Sequence, residues 1–120
     1  MPRPDNNAIR AFIDEKIQLW NSGKRPELAA LYRAFAPNAM TFEYVGGPVL
    51  DGYVALEDMW ERFGNEVEME VVDTLINGDE VACYIKNHRR SQPGFFTTTI
   101  EVYQIGDGTL HERYFYPVPE

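Results

Sequence analysis

Residues 66–71, Glu66-Val67-Glu68-Met69-Glu70-Val71, alternate acid and apolar at every step. A period of two marks a strand with one face buried and the other in water. Upstream of this stretch the apolar spacing is helical, and downstream it is that of strands. Ile9, Phe12, Ile13, Ile17 and Trp20 form a stripe of period 3.6, preceded by Asp5, Asn6 and Asn7 as N-cap oxygens. Asn21-Ser22-Gly23 ends that helix, because glycine takes a left-handed cap cheaply. Pro26 suits the first turn of a second helix striped by Leu28, Leu31, Tyr32 and Phe35, which must stop by Pro37. Met40 to Val45 reads as a short strand closed by Gly46-Gly47-Pro48. A third helix starts near Asp51-Gly52, carries Leu56, Met59, Trp60 and Phe63, and stops at Gly64.

Beyond Val71 the turn signals come at strand spacing. Asn77-Gly78 is a strong hairpin signal, since both turn positions call for positive φ. It leads into a strand from Glu80 to Arg90, with Val81, Cys83 and Ile85 on one face and Tyr84, Lys86 and His88 on the other. Pro93-Gly94 turns the chain into Phe95 to Ile105, and Asp107-Gly108 turns it again into Leu110 to Tyr116. Apolarity groups Ile100 and Val102 with Val81, Cys83 and Ile85, and sets Tyr84, Phe95 and Tyr103 on the opposite face. Both faces then carry large apolar groups, so one covers the helices while the other seeks a partner or lines a pocket. The expected fold class is α+β: three N-terminal helices on one face of a curved, mainly antiparallel sheet in meander order, one domain over residues 1–120.

Composition removes several functional classes. The chain has 120 residues, enough for one domain with a real core. Nineteen acids against eleven Lys and Arg leave a formal charge of −8. Such a surface repels phosphate backbones and anionic lipid heads, so neither nucleic acid nor membrane is an expected partner. The single cysteine, Cys83, forbids an intrachain disulfide and reads as a small core residue. No apolar run approaches the ~20 residues of a membrane span, and the start of the chain does not read as a signal peptide. A cytoplasmic location is the expectation. Seven Tyr, seven Phe and two Trp are more aromatics than a minimal core needs, which makes a lined cavity conceivable.

Four segments carry a resemblance: Trp20-Asn21-Ser22-Gly23, Phe35 to Glu43, Gly46-Gly47-Pro48-Val49-Leu50-Asp51-Gly52, and Ile100 to Leu110. Over roughly residues 8 to 116 the chain resembles the nuclear transport factor 2-like superfamily, most of all its SnoaL-like and ketosteroid isomerase-like branch. The resemblance implies a cystatin-like cone, in which a strongly curved sheet wraps the helices and leaves an apolar pocket. It also implies a homodimer joined through the outer sheet face. Members include isomerases, cyclases, dehydratases, epoxide hydrolases and non-catalytic proteins, so the fold alone assigns no reaction.

Carried over by position, Glu43 falls where the isomerase keeps its carboxylate base, and Glu101 where it keeps a protonated, hydrogen-bonding acid. Two carboxyls in one apolar pocket separate their roles, because desolvation and mutual repulsion push their pKa values apart. Both are Glu where the isomerase has Asp. Lys16 and Trp60 stand at the positions of the isomerase's oxyanion tyrosine and its supporting tyrosine, so that oxyanion hole is not reproduced. Lys16 is either an exposed helix residue or a cation for an enolate. Trp60 reads as pocket wall, with Tyr32, Phe63, Tyr84, His88 and Tyr103 as further lining candidates.

Face and register decide these roles. Only the resemblance points Glu43 inward, since Phe42-Glu43-Tyr44 alternates. A two-residue Asp107-Gly108 turn pairs Glu101 with Tyr114, whereas a three-residue loop pairs it with Arg113 and keeps it ionised. His88 and His111 lack any metal-ligand spacing, so no metal site is expected.

The first functional expectation is a cofactor-independent enzyme moving a proton on a small, largely apolar carbonyl compound by isomerisation, cyclisation or dehydration. It uses Glu43 or Glu101 with a donor such as Tyr32, Tyr44 or Tyr103. The alternative is a non-catalytic pocket or dimeric module, in which each Glu is exposed or locked in a salt bridge. An epoxide hydrolase of the limonene type ranks last, because Thr99-x-Glu101 stands where an Arg-x-Asp pair is needed.

Overall fold

A computed structural model describes residues 3–116. In chain order the elements are α1 (Asn6–Asn21), α2 (Arg25–Phe35), β1 (Ala39–Tyr44), β2 (Leu50–Asp51), α3 (Gly52–Phe63), β3 (Val67–Asn77), β4 (Glu80–Arg89), β5 (Phe96–Ile105) and β6 (Thr109–Phe115). The residues at each end of the expected single domain, 1–2 and 117–120, lie outside the described residues.

The helix starts follow from local chemistry. The Asp5 carboxylate accepts the Ala8 N–H at 2.8 Å, and Asp51 accepts those of Tyr53 and Val54 at 3.0 and 3.1 Å. These side chains satisfy amide donors that have no partner within the first turn. Pro26 occupies the first turn of α2. Gly52 opens α3 against Met40, and a Cβ there would overlap the Met40 side chain. That close approach lets α3 fold tightly onto β1.

One six-stranded sheet runs in the order β2-β1-β6-β5-β4-β3. β3 to β6 form the expected antiparallel meander, while β1 joins β6 in parallel. The two-residue strand β2, which the sequence pattern does not reveal, pairs antiparallel with β1. A bulge between Val71 and Asp73 breaks the β3–β4 register. Such an insertion bends and twists its strand, which contributes to the curvature of the open sheet around the helices.

The helices fill the concave face. Phe12 stacks on Phe35 with centroids 3.9 Å apart and meets Tyr32 edge-on at 5.3 Å. Behind them lie Phe42, Val81, Cys83, Ile85 and Leu110, all buried. The end of α1 is pinned to β3 by polar groups. The Trp20 indole N–H donates to the Val67 carbonyl at 2.8 Å. The Asn21 amide donates to the Met69 carbonyl at 2.9 Å and accepts the Met69 N–H at 2.8 Å, serving as a short piece of strand.

The last hairpin has the two-residue turn. Gly108 takes φ +66°, Ile105 faces Leu110, and Glu101 faces Tyr114. The register also corrects one expected face assignment. Cys83 lies opposite Glu101 and Val81 opposite Tyr103, so Glu101 and Tyr103 point inward with Val81, Cys83 and Ile85. Ile100, paired with Tyr84, is 45% exposed on the outer face. Apolarity misassigned this strand because the inner face has a cation from α1 that makes burial of Glu101 tolerable. Among the described residues no helix is long and apolar enough to cross a membrane.

Candidate functional site

Between the helices and the concave face lies a cavity of about 520 Å³. Its middle is apolar, walled by Trp20, Leu28, Leu56, Met59, Phe63 and Met69. Its inner end is formed by Lys16, Tyr32 and Tyr114, its rim carries Asp58, Arg62, Asn87, Arg89 and Thr97, and Thr99, opposite Ile85, lies between the two. An apolar cavity with a few convergent polar groups is the usual form of a small-molecule site.

The inner end holds a buried charge cluster. The alternation of β5 and β6 sends Glu101, Tyr103, Glu112 and Tyr114 to the concave face, in two facing pairs, Glu101 with Tyr114 and Tyr103 with Glu112. Lys16 enters from α1. Its Nζ donates to Glu101 Oε1 at 2.7 Å, to Tyr103 Oη at 2.6 Å and, longer, to Glu112 Oε2 at 3.4 Å. The Tyr103 hydroxyl donates to Glu101 Oε1, and the Tyr32 hydroxyl donates to Glu112 Oε1 at 2.9 Å. The ammonium also lies 4.9 Å from the Tyr103 ring centroid. Lys16, Glu101 and Glu112 are all buried, the last two completely.

Burying an ion pair costs several kcal/mol per charge unless hydrogen bonds satisfy both partners, and here the matching is incomplete. One ammonium serves two carboxyls, and Glu101 Oε2 is buried without a hydrogen-bond partner. Burial works against the Lys16 charge, but Glu101 and then Glu112 outweigh it and hold the pKa well above the usual lysine value. Glu112 is pushed upward by burial, against the pull of Lys16. Burial, reinforced by the neighbouring carboxylates, drives Tyr32, Tyr103 and Tyr114 well above the ordinary phenol value. The tyrosines are therefore neutral hydrogen-bond donors, and Glu112 is a carboxylate with heightened proton affinity.

The expected site residues divide between the two faces of the sheet. Tyr32 and Phe63 line the cavity, and Glu101 and Tyr103 lie directly behind Lys16 at its inner end. Trp60 packs edge-on against Trp20, centroids 5.0 Å apart, and backs the wall without lining it. Glu43, expected to face the pocket, is on the outer face. Met40 and Phe42 take the inward positions of β1, so the residue between Phe42 and Tyr44 turns away. There Glu43 Oε1 accepts Arg113 Nε–H at 3.0 Å and shares a hydrogen bond with His111 Nε2 at 2.8 Å. The His111 bond, with Arg113's charge, keeps the Glu43 carboxyl below the usual range despite partial burial. Tyr84 and His88 are also on the outer face, His88 bonded to Glu70 at 2.8 Å, because β4 presents Cys83, Ile85 and Asn87 inward.

Glu112 and Arg89 are the residues that the sequence reading overlooks, and Tyr114 it names only as the cross-strand partner of Glu101. The signal for the first was present: once Glu101 is set opposite Tyr114, strand alternation places Glu112 inward as well.

No protein-family model matches the chain, and no curated protein matches it. Solved structures do. An NTF2-like protein of unknown function from Cytophaga hutchinsonii superposes with TM-score 0.66 at 16% identity, covering 90% of this chain and 88% of that one. A candidate polyketide cyclase from Sinorhizobium meliloti reaches TM-score 0.56 at 23% identity, with 81% and 89% covered. A de novo designed protein with a curved β-sheet reaches TM-score 0.74 at 15% identity, with 95% and 88% covered. At these identities the likeness is one of architecture, and it extends over natural and designed sequences alike. The chain has the nuclear transport factor 2-like fold: three helices on a strongly curved, open, six-stranded mixed sheet.

Proposed function

We propose that the chain is a cofactor-independent proton-transfer enzyme, of isomerase, cyclase or dehydratase type, acting on a small, largely apolar carbonyl compound. The observation that carries this reading is the buried Lys16–Glu101–Glu112 cluster at the inner end of an apolar cavity, with one ammonium for two carboxyls. Strongly perturbed titratable groups beside a cavity mark a candidate functional site. Candidate polyketide cyclases and a candidate hydroxylase from Streptomyces galilaeus share the architecture, which is compatible with such chemistry.

In this reading the substrate carbonyl oxygen accepts from Tyr114 and from the Lys16 N–H that otherwise makes only the long 3.4 Å contact with Glu112. The α-proton passes to the Tyr32 oxygen as the Tyr32 proton passes to Glu112. The C–H electron pair becomes the enolate double bond, and the carbonyl pair moves onto oxygen, where the ammonium offsets its charge. Return of the proton at the same or another carbon completes exchange or isomerisation. Glu112 is the stronger base for being desolvated. Glu43 has no part in this, since it lies across the sheet.

A second reading is binding without turnover. It is favoured by the clasp of Lys16 and Tyr103 on Glu101 and by the outward, ion-paired Glu43. Deuterium uptake at the α-carbon of cyclic enones and small ketones in D₂O separates the two. Enzyme-dependent uptake that falls by about 100-fold or more in Glu112→Gln supports proton transfer, on the usual scale for loss of a general base. Tight binding with uptake no faster than in buffer supports the binder.

We also propose that two copies associate through the outer sheet face, where Tyr84, Phe96 and Ile100 are each at least 40% exposed. A cytoplasmic setting fits the single unpaired cysteine.

A further inference from the structure

The cavity has two chemically different ends, and the rim has an excess of donors. Arg89 lies on the cavity wall, half-buried, with its guanidinium 5.5 Å from the Phe63 ring centroid. No carboxylate forms a salt bridge with it among the described residues. The nearby acid that feels its charge, Glu66, has both oxygens engaged by Ser91, at 2.8 and 2.6 Å. The other rim cation, Arg62, is bound by Asp58 at 3.3 Å. In a chain with nineteen acids, a cavity-wall arginine that forms no salt bridge among the described residues is conspicuous. Thr97, which pairs with Asn87 two residues before Arg89, also lines the cavity, whereas Thr99 pairs with Ile85, four residues before it.

We infer that the ligand is an amphipathic monocarboxylate, its carboxylate held at the rim by Arg89 and its apolar, carbonyl-bearing body directed toward Lys16. The inference rests on the cavity being a ligand site and names the class of ligand it takes. A planar guanidinium matches a carboxylate with two parallel hydrogen bonds. The backbone levels of Arg89 and of the inner cluster are set by β4, where Cys83 faces Glu101 six residues before Arg89. At ~3.3 Å per strand residue that is roughly 20 Å. Side chains reach inward from both ends, so an acid of medium chain length or an arylalkanoic acid spans the remainder. The overall negative charge of the protein does not oppose this, because a rim charge acts at hydrogen-bond distance while the distant acids are screened.

The test compares decanoate with methyl decanoate, and naphthylacetate with its methyl ester, by calorimetry and Trp fluorescence on the wild-type chain, Arg89→Gln and Arg89→Lys. The expected result is that each acid binds roughly 10- to 100-fold tighter than its ester, the size of a charge-assisted hydrogen bond. Arg89→Gln should abolish that preference while leaving ester binding unchanged, and Arg89→Lys should restore part of it. Unchanged ester affinity also shows that the Gln variant is folded. Esters binding as tightly as acids, or an acid preference that survives Arg89→Gln, overturns the carboxylate assignment but keeps the cavity as a site. If neither acid nor ester binds the wild-type chain, the cavity reading falls with it.

Discussion

Replacing Lys16 by methionine keeps most of the side-chain volume and removes only the charge at the centre of the cluster. Glu101 and Glu112 then remain at zero exposure with no cation in hydrogen-bond reach. Removing one partner of a buried ion pair costs about 3–5 kcal/mol, a large share of the ~5–15 kcal/mol that holds a domain together. The loss depends on pH, and its sign is fixed. Without Lys16 the Glu112 carboxyl, already pushed upward by burial, loses the charge that pulls it down, so the folded state retains a proton that the unfolded state has released. Stability of the variant is therefore highest below the ordinary glutamate range and falls as pH rises through the elevated folded value. Each unit of upward shift corresponds to about 1.4 kcal/mol. Urea denaturation from about pH 4.5 to about pH 8 on both proteins reads the difference as a gap in midpoint that widens with pH. A variant within about 1 kcal/mol of wild type at the upper end, or a gap that does not change with pH, refutes the picture of a buried ammonium holding two carboxyls.

Three further outcomes follow from the geometry. Asn21→Ala removes both hydrogen bonds to Met69, so urea midpoints should show a loss of about 1–3 kcal/mol. Glu43→Gln should leave deuterium exchange and ligand affinity at the cavity within twofold or so of wild type, and a loss approaching the ~100-fold of a missing base returns Glu43 to the mechanism. Ile100→Lys places a charge in the outer apolar face, and sedimentation should shift the proposed dimer to monomer at micromolar concentration. An unchanged sedimentation coefficient, or a wild-type chain that is already monomeric, removes that interface.

The fold was legible because the switch from helical to strand spacing is sharp and the turn chemistry is explicit. Asp107-Gly108 forms the expected tight turn with Gly108 at positive φ, and the alternation from Val67 to Val71 marks the start of β3, but the first hairpin turns one residue later than read, on Gly78-Asp79, because Asn77 stays in the strand paired with Glu80 and only Gly78 takes positive φ. The short strand β2 was not legible, since two residues carry no period. The site was legible in part. Tyr32 and Phe63 line the cavity, Glu101 and Tyr103 lie behind Lys16 without lining it, and Glu43 is on the other face, because a single residue of strand phase exchanges its side. Ile100 and Val102 misled for a related reason: apolarity ranks a strand's faces only when both alternatives are ordinary. Here the inner face carries Glu101 and Tyr103 because Lys16, 85 residues away in sequence from Glu101, supplies the charge they need. Local patterning has no access to a partner that arrives from another helix.

The most direct test of the account is the ionisation and ligand response of Lys16 itself, read by NMR of its side-chain nitrogen in the labelled protein. The structure requires Nζ to remain an ammonium beyond the ordinary lysine range, because Glu101 and Glu112 outweigh the cost of burying its charge. It also requires the resonance to move when a ketone or keto acid enters the cavity, since Lys16 forms the inner wall. A charged signal that persists to about pH 10.5 and shifts on saturation with ligand is the expected result. A neutral amine near neutral pH, or a signal indifferent to a ligand that binds, contradicts it.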